Sequence, residues 1–503
     1  MDISSVMSKY GFGHRASRHI ILDHEGELWL AAAPPAIAGL WPRSTVEQPG
    51  TLRIEPLENG KFAKYAYTAT ESLIEITTEN GAKIKIAIDS GAGAIRIAGN
   101  TPFRLNAVEV NFLTGSLNMP GGAMISIKMM RYFVVSKRGK LALDDTYLLN
   151  AFRNVTPVLD VEPENGEFEI CVYDLPADTD VPEITGTLDD CAAGNTTEFC
   201  AFADSIVDIP SEWSDVKEKI AYPLWLCHRY LAGDAEVIVE NKRDSTHTNA
   251  LLMSIASMAF KDSKKAIDMI LAFPAELPPA LGIAAARLID ENMLNDSRGD
   301  IFRVYSALET IARKCIKERT VNSDGLSFYA YGYESGTERT PEYFKAGKPV
   351  LAPDLNAYLI IVSEIAGKLA LMEYDSGIGQ KWAAHAKELK TKLIAELWDG
   401  ENFVGRNAYT DEASEPDAFL SLVPIILGKR LPGDIISKLA AKIDFEAADS
   451  AVGFLLAGGL YDAGETDAAK TVAQTALSNV RKDGIECPFY GASLLALAHK
   501  VLA

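Results

Sequence analysis

The chain has 503 residues, 48% of them hydrophobic and 9% aromatic, a composition typical of globular proteins with large buried cores. At ~100–200 residues per domain, this length predicts two or three domains. The net charge of -20 argues against nucleic acid or an anionic membrane surface as a partner, because phosphate groups would be repelled.

Targeting and cofactor signals are missing from the sequence. Residues 1–18 hold no apolar run of signal-peptide length, and no ~18 uncharged apolar residues follow one another elsewhere, so we expect a cytoplasmic protein. The six cysteines lack C-x-x-C and Cys/His ligand spacing, which predicts free thiols and no metal site. Phosphate-loop and dinucleotide fingerprints are absent, so no nucleotide cofactor is expected. The oligomeric state is left open.

The first part of the chain has the period of β-strands. Apolar residues alternate from about His19 to Pro210, as in the segment 83–88, K-I-K-I-A-I, and Asn-Gly pairs at 59–60 and 80–81 are typical of hairpin turns. About a dozen short strands can bury both apolar faces by forming two packed sheets. We therefore predict an antiparallel β-sandwich over residues 1–210.

The second part, residues 211–503, has the period of helices. Twelve amphipathic helices are predicted, beginning near residues 212, 247, 262, 277, 300, 354, 376, 415, 432, 449, 465 and 490. Six antiparallel pairs closing into a ring would bury their apolar stripes, which is the (α/α)6 toroid. A straight solenoid of helix pairs is the alternative, but no fixed sequence period supports it. The predicted fold class is thus α+β and multidomain.

The links between these helices differ in length according to their parity. Links after even-numbered helices are short, whereas those after odd-numbered helices include 233–246, 323–353, 399–414 and 482–489. In an up-down array, all links after odd-numbered helices emerge at one end. Long loops in compact domains are often functional. We therefore predict a site at this end.

Two carboxyl groups in these long links are candidates for acid–base catalysis. Inverting glycoside hydrolysis needs one protonated carboxyl group and one carboxylate, about 6.5–9.5 Å apart. Glu338 and Glu486 lie in two different long links and are predicted as the pair. Asp354 and Asn356, at the start of the sixth helix, are predicted to support the site structurally, with Asp354 capping the helix. The residues predicted to contact the sugar are Tyr331, Tyr333, Glu334, Asp244, His247, Phe344, Phe403, Arg406 and Tyr490.

Two segments resemble glycoside hydrolase family 63, the processing α-glucosidases, and more distantly the family 37 trehalases. Residues 331–338, Y-G-Y-E-S-G-T-E, are similar to the family's G-N-D-S-G-W-D-N loop, and residues 353–359, P-D-L-N-A-Y-L, match almost letter for letter. The similarity covers roughly Ala221 to Ala503. It implies a β-sandwich followed by a toroid, α-glycosidic substrates and inversion.

The resemblance also carries catalytic roles to two positions. Glu338 stands where the family has its aspartate acid and is preceded by Thr337 instead of tryptophan. The base position falls on Glu486. The family's tryptophan-aspartate pair corresponds to Asp244-Ser245, and its Y-W-R-G-P stretch has no counterpart in 442–450. We therefore expect a glycoside hydrolase with altered specificity.

Two other functions fit the same architecture. A toroid that has lost catalysis would bind or sense carbohydrate, which the departures from the family pattern favour. A sugar epimerase or polysaccharide lyase would need a base other than a carboxylate, and His247, Tyr331 and Tyr333 are the candidates in the long links. Each function needs a carbohydrate as the partner.

Overall fold

The computed structural model describes most of the chain. It covers residues 1–15, 17–32, 51–107, 115–127, 130–144, 156–173, 183–230, 236–238, 249–273, 275–294, 297–321, 325–336, 341–372, 376–443 and 450–503. Two compact units are present. The first contains Met1–Asp204 and Ala221–Arg229, and the second contains Ser205–Ile220 and His247–Ala503. The predicted domain boundary at 210/211 stays a prediction.

The first unit contains sixteen of the described strands, all paired antiparallel. One sheet has the order β1-β2-β3-β4-β10-β15-β14, with β5 beside β4, and the other has the order β11-β12-β13-β16-β9-β8-β7-β6. The strands are β1 (Phe12–Gly13), β2 (His19–His24), β3 (Glu27–Ala32), β4 (Leu52–Glu58), β5 (Lys61–Phe62), β6 (Tyr65–Ala69), β7 (Ile74–Thr78), β8 (Lys83–Asp89), β9 (Ala94–Gly99), β10 (Phe103–Ala107), β11 (Gly115–Met119), β12 (Gly122–Ile127), β13 (Met130–Arg138), β14 (Lys140–Asp144), β15 (Val158–Glu162) and β16 (Phe168–Tyr173).

The two sheets pack through their apolar faces. Ile84, Ile86 and Ile88 alternate along β8 and are buried, as the sequence pattern predicts. Phe103 of one sheet stacks on Phe168 of the other, with ring centroids 5.0 Å apart. These contacts confirm the predicted β-sandwich.

A helix, α1 (Leu188–Asp204), lies within the segment predicted to form only strands, so that part of the prediction is wrong. It packs on β8, where the Asn195 amide donates to the carbonyl of Ile88 at 2.8 Å. Its start carries a capping box, because the Thr187 hydroxyl accepts from the Asp190 amide and the Asp190 carboxylate accepts from the Thr187 amide. That T-x-x-D signal was readable in the sequence.

The second part of the chain contains the twelve predicted helices, each starting within a few residues of its predicted position. They are α2 (Ser214–Cys227), α3 (Ala250–Ser257), α4 (Ser263–Ile270), α5 (Leu281–Asp290), α6 (Arg298–Glu318), α7 (Pro353–Met372), α8 (Ser376–Leu397), a 3-10 helix (Leu420–Arg430), α9 (Gly433–Ala440), α10 (Ala451–Ala463), α11 (Thr466–Asp483) and α12 (Pro488–Leu502). The eighth is a 3-10 helix because it contains Pro424 and bends at Gly428, whose φ is 55°.

Six of these helices form a closed inner ring. α3 packs on α5, α5 on α7, α7 on the 3-10 helix, that helix on α10, α10 on α12, and α12 on α3. The helices α4, α6, α8, α9 and α11 each pack against helices of this ring. Because the last inner helix contacts the first, the structure is the predicted (α/α)6 toroid and not a straight solenoid.

Glycines allow the inner helices to approach closely. A Cβ atom built on Gly459 of α10 would lie 2.8 Å from the carbonyl oxygen of Ile425 in the 3-10 helix. A Cβ atom on Gly282 of α5 would lie 2.9 Å from the amide nitrogen of Val362 in α7. Any larger side chain would therefore push neighbouring helices of the ring apart.

Helix α7 is long and apolar enough to cross a membrane by length and composition alone. It has 20 residues and a mean hydropathy of 1.5, and 78% of its most apolar window is buried inside the protein. As an inner helix with neighbours on several sides, it has this composition for packing. The cytoplasmic location stays a prediction.

Candidate active site

The long links of the toroid meet at the end of the ring where the inner helices begin, which we call the mouth. The links into the inner helices occupy 228–249, 271–280, 319–352, 398–419, 441–450 and 484–487. Those out of the inner helices are short and occupy 258–262, 291–297, 373–375, 431–432 and 464–465. The link 484–487 is also short, because α11 and α12 extend into the predicted long link 482–489. All inner helices run in the same direction, so their N-terminal ends share one end of the ring, as predicted.

A small sheet organises the longest links of the mouth. The strands β17 (His228–Tyr230) and β18 (Glu236–Ile238) lie in the link before α3. The small sheet pairs β19 (Phe328–Tyr329) with β20 (Val350–Leu351), and β20 with β21 (Arg406–Asn407). β19 and β20 belong to the link before α7, and β21 belongs to the link before the 3-10 helix. The sheet therefore fixes two mouth links to each other.

Asn356 holds the link before α7 in place. Its side-chain oxygen accepts from the amide of Ser327 at 2.8 Å, and its side-chain nitrogen donates to the carbonyls of Ser327 and Ala352, each at 2.9 Å. The side chain is fully buried. It acts as a structural clamp, with no group left for a substrate.

Asp354 is a buried carboxyl group in the first turn of α7. It accepts a hydrogen bond from the hydroxyl of Tyr329 at 2.9 Å. Burial raises the pKa of Asp354 to about 7, and the nearby charge of Asp417 also raises it, whereas the Tyr329 hydroxyl and two backbone amides lower it. The predicted N-terminal cap is corrected in detail, because α7 begins at Pro353 and Asp354 lies within the helix.

Asp417 is a mouth residue that was not predicted from the sequence. Its carboxylate accepts from the amides of Phe419 and Leu420, which caps the 3-10 helix, and from the amide of Glu342 in the neighbouring link. The signal was an aspartate just before an apolar run, the usual N-cap pattern.

Glu334 is not a sugar ligand in this structure, which corrects that prediction. Only 9% of its surface is exposed. One carboxylate oxygen accepts from the guanidinium of Arg319 at 2.8 Å, and the other accepts from the amides of Ala330 and Tyr331 at 2.6 and 3.2 Å. Glu334 therefore shapes the turn that carries the tyrosines.

Tyr331 and Tyr333 form an exposed aromatic platform at the mouth. Their rings are stacked, with centroids 5.6 Å apart and 4° between the planes. Tyr331 is 51% exposed and Tyr333 is 73% exposed. The ammonium group of Lys348 lies 5.7 Å from the centre of the Tyr331 ring. Exposed rings of this kind can stack on the apolar face of a sugar.

Three other predicted sugar contacts are packing residues. Phe403 is fully buried against Trp398, with ring centroids 4.9 Å apart. Tyr490 is buried and meets Phe454 edge to face at 5.0 Å. Phe344 is partly buried against the toroid core. Phe403 and Tyr490 thus have their rings covered by protein, and substrate contact by Phe344 stays a prediction.

Arg406 and Glu486 are polar residues in the links at the mouth. Arg406, on β21, donates to the carboxylate of Asp411 at 3.0 Å. Glu486 is exposed in the short link between α11 and α12, just before Cys487, which caps α12. Both remain predicted site residues.

Asp244, His247 and Glu338 lie outside the residues that the structure describes. Their predicted roles stay predictions. No group of three or more metal-ligating side chains occurs among the described residues.

Comparison with known proteins supports a similarity to glycoside hydrolases. Residues 224–457 match the model of the mannosylglycerate hydrolase MGH1-like glycoside hydrolase domain. No curated protein sequence matches the chain.

Solved structures with low sequence identity share the fold. A bacterial glucoamylase complexed with acarbose has a TM-score of 0.58 at 12% identity, covering 99% of this chain and 95% of that chain. A family 92 α-mannosidase from Bacteroides thetaiotaomicron, in complex with mannoimidazole, has a TM-score of 0.53 at 10% identity, covering 98% and 82%.

The predicted resemblance to toroid glycoside hydrolases is thus confirmed. Residues 224–457 of this chain are similar to the mannosylglycerate hydrolase MGH1-like glycoside hydrolase domain.

Proposed function

We propose that the chain hydrolyses an α-linked glucoside or a related small oligosaccharide with inversion, at the mouth of the toroid. Glu338 is the general acid and Glu486 is the general base. The observation that carries the proposal is the order of the inner ring. The links holding the two glutamates lead into α7 and α12, which are the third and sixth of six inner helices. The two links therefore lie on opposite sides of the ring.

Opposite sides are what an inverting reaction requires. The Glu338 carboxyl group gives its proton to the glycosidic oxygen while the bond from that oxygen to the anomeric carbon breaks. The Glu486 carboxylate takes a proton from a water molecule whose oxygen bonds to the same carbon from the other face. The products are a free sugar of inverted configuration and the released alcohol.

The dimensions of the ring suit this chemistry. Neighbouring packed helices are about 8–10 Å apart, so opposite axes of a six-helix ring lie ~16–20 Å apart. Inversion needs two carboxyl groups ~6.5–9.5 Å apart, a distance that fits within this gap.

The ends of the segment that carries Glu338 support its place at the mouth. The carbonyl of Gly336 accepts from the side-chain amide of Asn249 at 3.4 Å, and Asn249 caps the inner helix α3. On the other side of the segment, the amide of Glu342 donates to the buried Asp417. The segment between these anchors begins and ends beside inner-helix N-termini.

The exposed Tyr331–Tyr333 platform is proposed as the sugar-binding surface beside the carboxyl groups. Its rings offer apolar faces, and Lys348 adds a positive charge next to Tyr331. The glycosidases in the comparison carry carbohydrate-like ligands, such as acarbose. A carbohydrate is therefore the expected partner of this surface.

The proposal is tested by hydrolysis assays on a panel of α-glucosides, α-mannosides and mannosylglycerate. We expect turnover of at least one member by the wild-type chain and loss of turnover in Glu338→Gln, with thermal unfolding unchanged. Glu342→Gln, in the same link, is the matched control and should keep full activity. Full activity in Glu338→Gln would overturn the assignment of the acid. Saturable sugar binding without any turnover would favour a carbohydrate-binding protein instead.

A further inference from the structure

The inner ring encloses a second feature, a cavity of about 560 Å³. Among the residues that the structure describes, all six inner helices contribute to its lining. This volume falls within the ~300–1,000 Å³ typical of small-molecule sites. It is too large to be an ordinary packing defect.

The cavity opens at the end of the ring opposite the mouth. Its lining residues in α5 run from Ile283 to Glu291, and those in α12 run from Ser493 to Lys500. The 3-10 helix contributes Arg430, its last residue. Most of these positions lie in the middle and C-terminal turns of helices whose N-termini form the mouth, whereas Ile283 and Phe454 lie in first turns. The cavity therefore extends along the ring, and none of its lining residues is assigned a role in the proposed hydrolysis.

Small residues create this space. Gly458 of α10 lines the cavity, and a Cβ atom built on it would have only the Lys500 ammonium nitrogen nearby, at 4.0 Å. The neighbouring Gly459 differs, because it packs against the backbone of the 3-10 helix. Gly458 thus leaves room for a larger side chain inside the cavity.

The interior of the cavity is apolar. Ile255, Ile361, Ile426 and Leu455 contribute aliphatic side chains from four different helices. The hydroxyl of Ser493 already donates to backbone carbonyls, those of Phe489 and Tyr490. Within the described lining, the interior offers no free donor for sugar hydroxyls, so it suits an apolar group.

The rim of the cavity holds equal numbers of cationic side chains and carboxylates. Its lining holds three cations, Arg287, Arg430 and Lys500, and three carboxylates, Asp290, Glu291 and Asp462. The Arg287 guanidinium bonds to both oxygens of Glu291 at 2.7 Å, and the Lys500 ammonium donates to Asp462 at 2.7 Å.

A head group at this rim would meet both signs of charge at once. A full charge would be attracted to one set of partners and repelled by the other. A neutral head that donates and accepts hydrogen bonds fits without breaking the existing ion pairs.

We propose that this cavity binds a neutral amphiphile of medium chain length. The alkyl chain lies among the aliphatic side chains of the inner ring, and the polar head lies at the balanced rim. This inference does not depend on the proposed hydrolase activity, because the residues that line the cavity differ from those proposed for hydrolysis.

The test is calorimetric titration of the full chain with 1-octanol. We expect saturable binding at one site per chain. In Gly458→Leu, the new side chain occupies the cavity, and the dissociation constant should rise by about tenfold or more. Gly433→Leu is the matched control, since Gly433 is exposed at the start of α9 with nothing within 4 Å of a built Cβ atom. It should bind octanol as the wild type does.

Three results would overturn the proposal. The first is the absence of saturable octanol binding by the wild type. The second is equal binding by Gly458→Leu, with thermal unfolding showing that this variant is folded. The third is tighter binding of octanoate or octylammonium than of octanol, which would contradict the neutral head group. Should Gly458→Leu fail to fold, Ala496→Leu, on α12 in the same lining, replaces it.

Discussion

The two ends of the inner ring are built from the same six helices but differ in the links that join those helices to their neighbours. At the mouth, links such as 319–352 and 398–419 are long and carry a sheet, buried carboxyl groups and exposed rings. At the opposite end, links such as 431–432 and 464–465 only reverse the chain. Helix packing fixes the ring, and we propose that the links at the mouth supply the chemistry.

The polar groups at the two ends also differ. At the mouth, Asp354 and Asn356 are fully buried and bonded to the links around them. At the other end, charges pair at an accessible rim over an apolar cavity. Buried groups fix a geometry, whereas paired surface charges contribute little to stability. We therefore place catalysis at the mouth.

Glu486→Gln should cause the largest loss, a fall in kcat. Loss of a general base typically lowers the rate by about 10²–10⁴-fold. We expect a fall of that size in kcat on whichever α-glycoside the wild type hydrolyses, with unchanged thermal unfolding. Glu465→Gln, at an exposed glutamate in the link at the opposite end of the ring, is the control and should keep wild-type kcat. Equal rates for the two variants would remove Glu486 from the mechanism.

Asp354→Asn should change how stability depends on pH. The pKa of Asp354 is about 7 in the folded chain, against 3.8 for an ordinary aspartate. Between these values the unfolded chain loses a proton that the folded chain keeps, so the wild type loses stability as pH rises, up to about 7. An asparagine stays neutral and avoids this loss.

Urea unfolding at pH 5 and pH 8 measures the effect. We expect the difference in unfolding free energy between Asp354→Asn and the wild type to shift in favour of the variant by roughly 3 kcal/mol from pH 5 to pH 8. This figure follows from ~1.4 kcal/mol for each pH unit up to the folded-state pKa. Asp434→Asn, in the first turn of α9 and exposed, should show no such trend. A parallel pH dependence for wild type and Asp354→Asn would contradict the raised pKa.

Two adjacent glycines of α10 lie at different places, Gly459 at a helix contact of the ring and Gly458 at the cavity. Gly459→Ala places a methyl group against the backbone of Ile425 and should lower the free energy of unfolding by about 1–3 kcal/mol. Gly458→Ala projects into the cavity and should raise it, by up to ~1 kcal/mol, through better helix propensity. Chemical denaturation measures both. Equal effects of the two changes would contradict the close approach of α10 to the 3-10 helix.

Tyr333→Ala should give the smallest effect. Loss of one exposed ring from the platform removes stacking of about 0.5–1.5 kcal/mol, which would raise KM about two- to tenfold with little change in kcat. Phe302→Ala, at an exposed ring on the outer helix α6, should leave both constants unchanged. An unchanged KM in Tyr333→Ala would show that the platform does not contact the substrate.

The toroid was predictable because its signals are local. The stripe of Leu355, Leu359 and Val362 on α7 and the parity of the links both come from helical period and loop length. The helix α1 was missed because the alternating pattern of the strands before it set the expectation, although Thr187 and Asp190 form its capping box.

For the candidate site, the sequence indicated the types of residue but not the directions of their side chains. Nothing in the loop sequence distinguishes Glu334, which turns inward to Arg319, from an exposed glutamate such as Glu486. The same holds for Phe403, which is buried, and Tyr333, which is exposed. Side-chain direction depends on contacts between links that are distant in sequence, and a single sequence does not contain them.

The most direct test of catalysis from opposite sides of the ring is the configuration of the first product. Proton NMR during wild-type hydrolysis of an α-glycoside should show the β-anomer of the released sugar first, followed by slow mutarotation. Early appearance of the α-anomer would mean retention of configuration, and would contradict the account of Glu338 and Glu486 as an inverting pair.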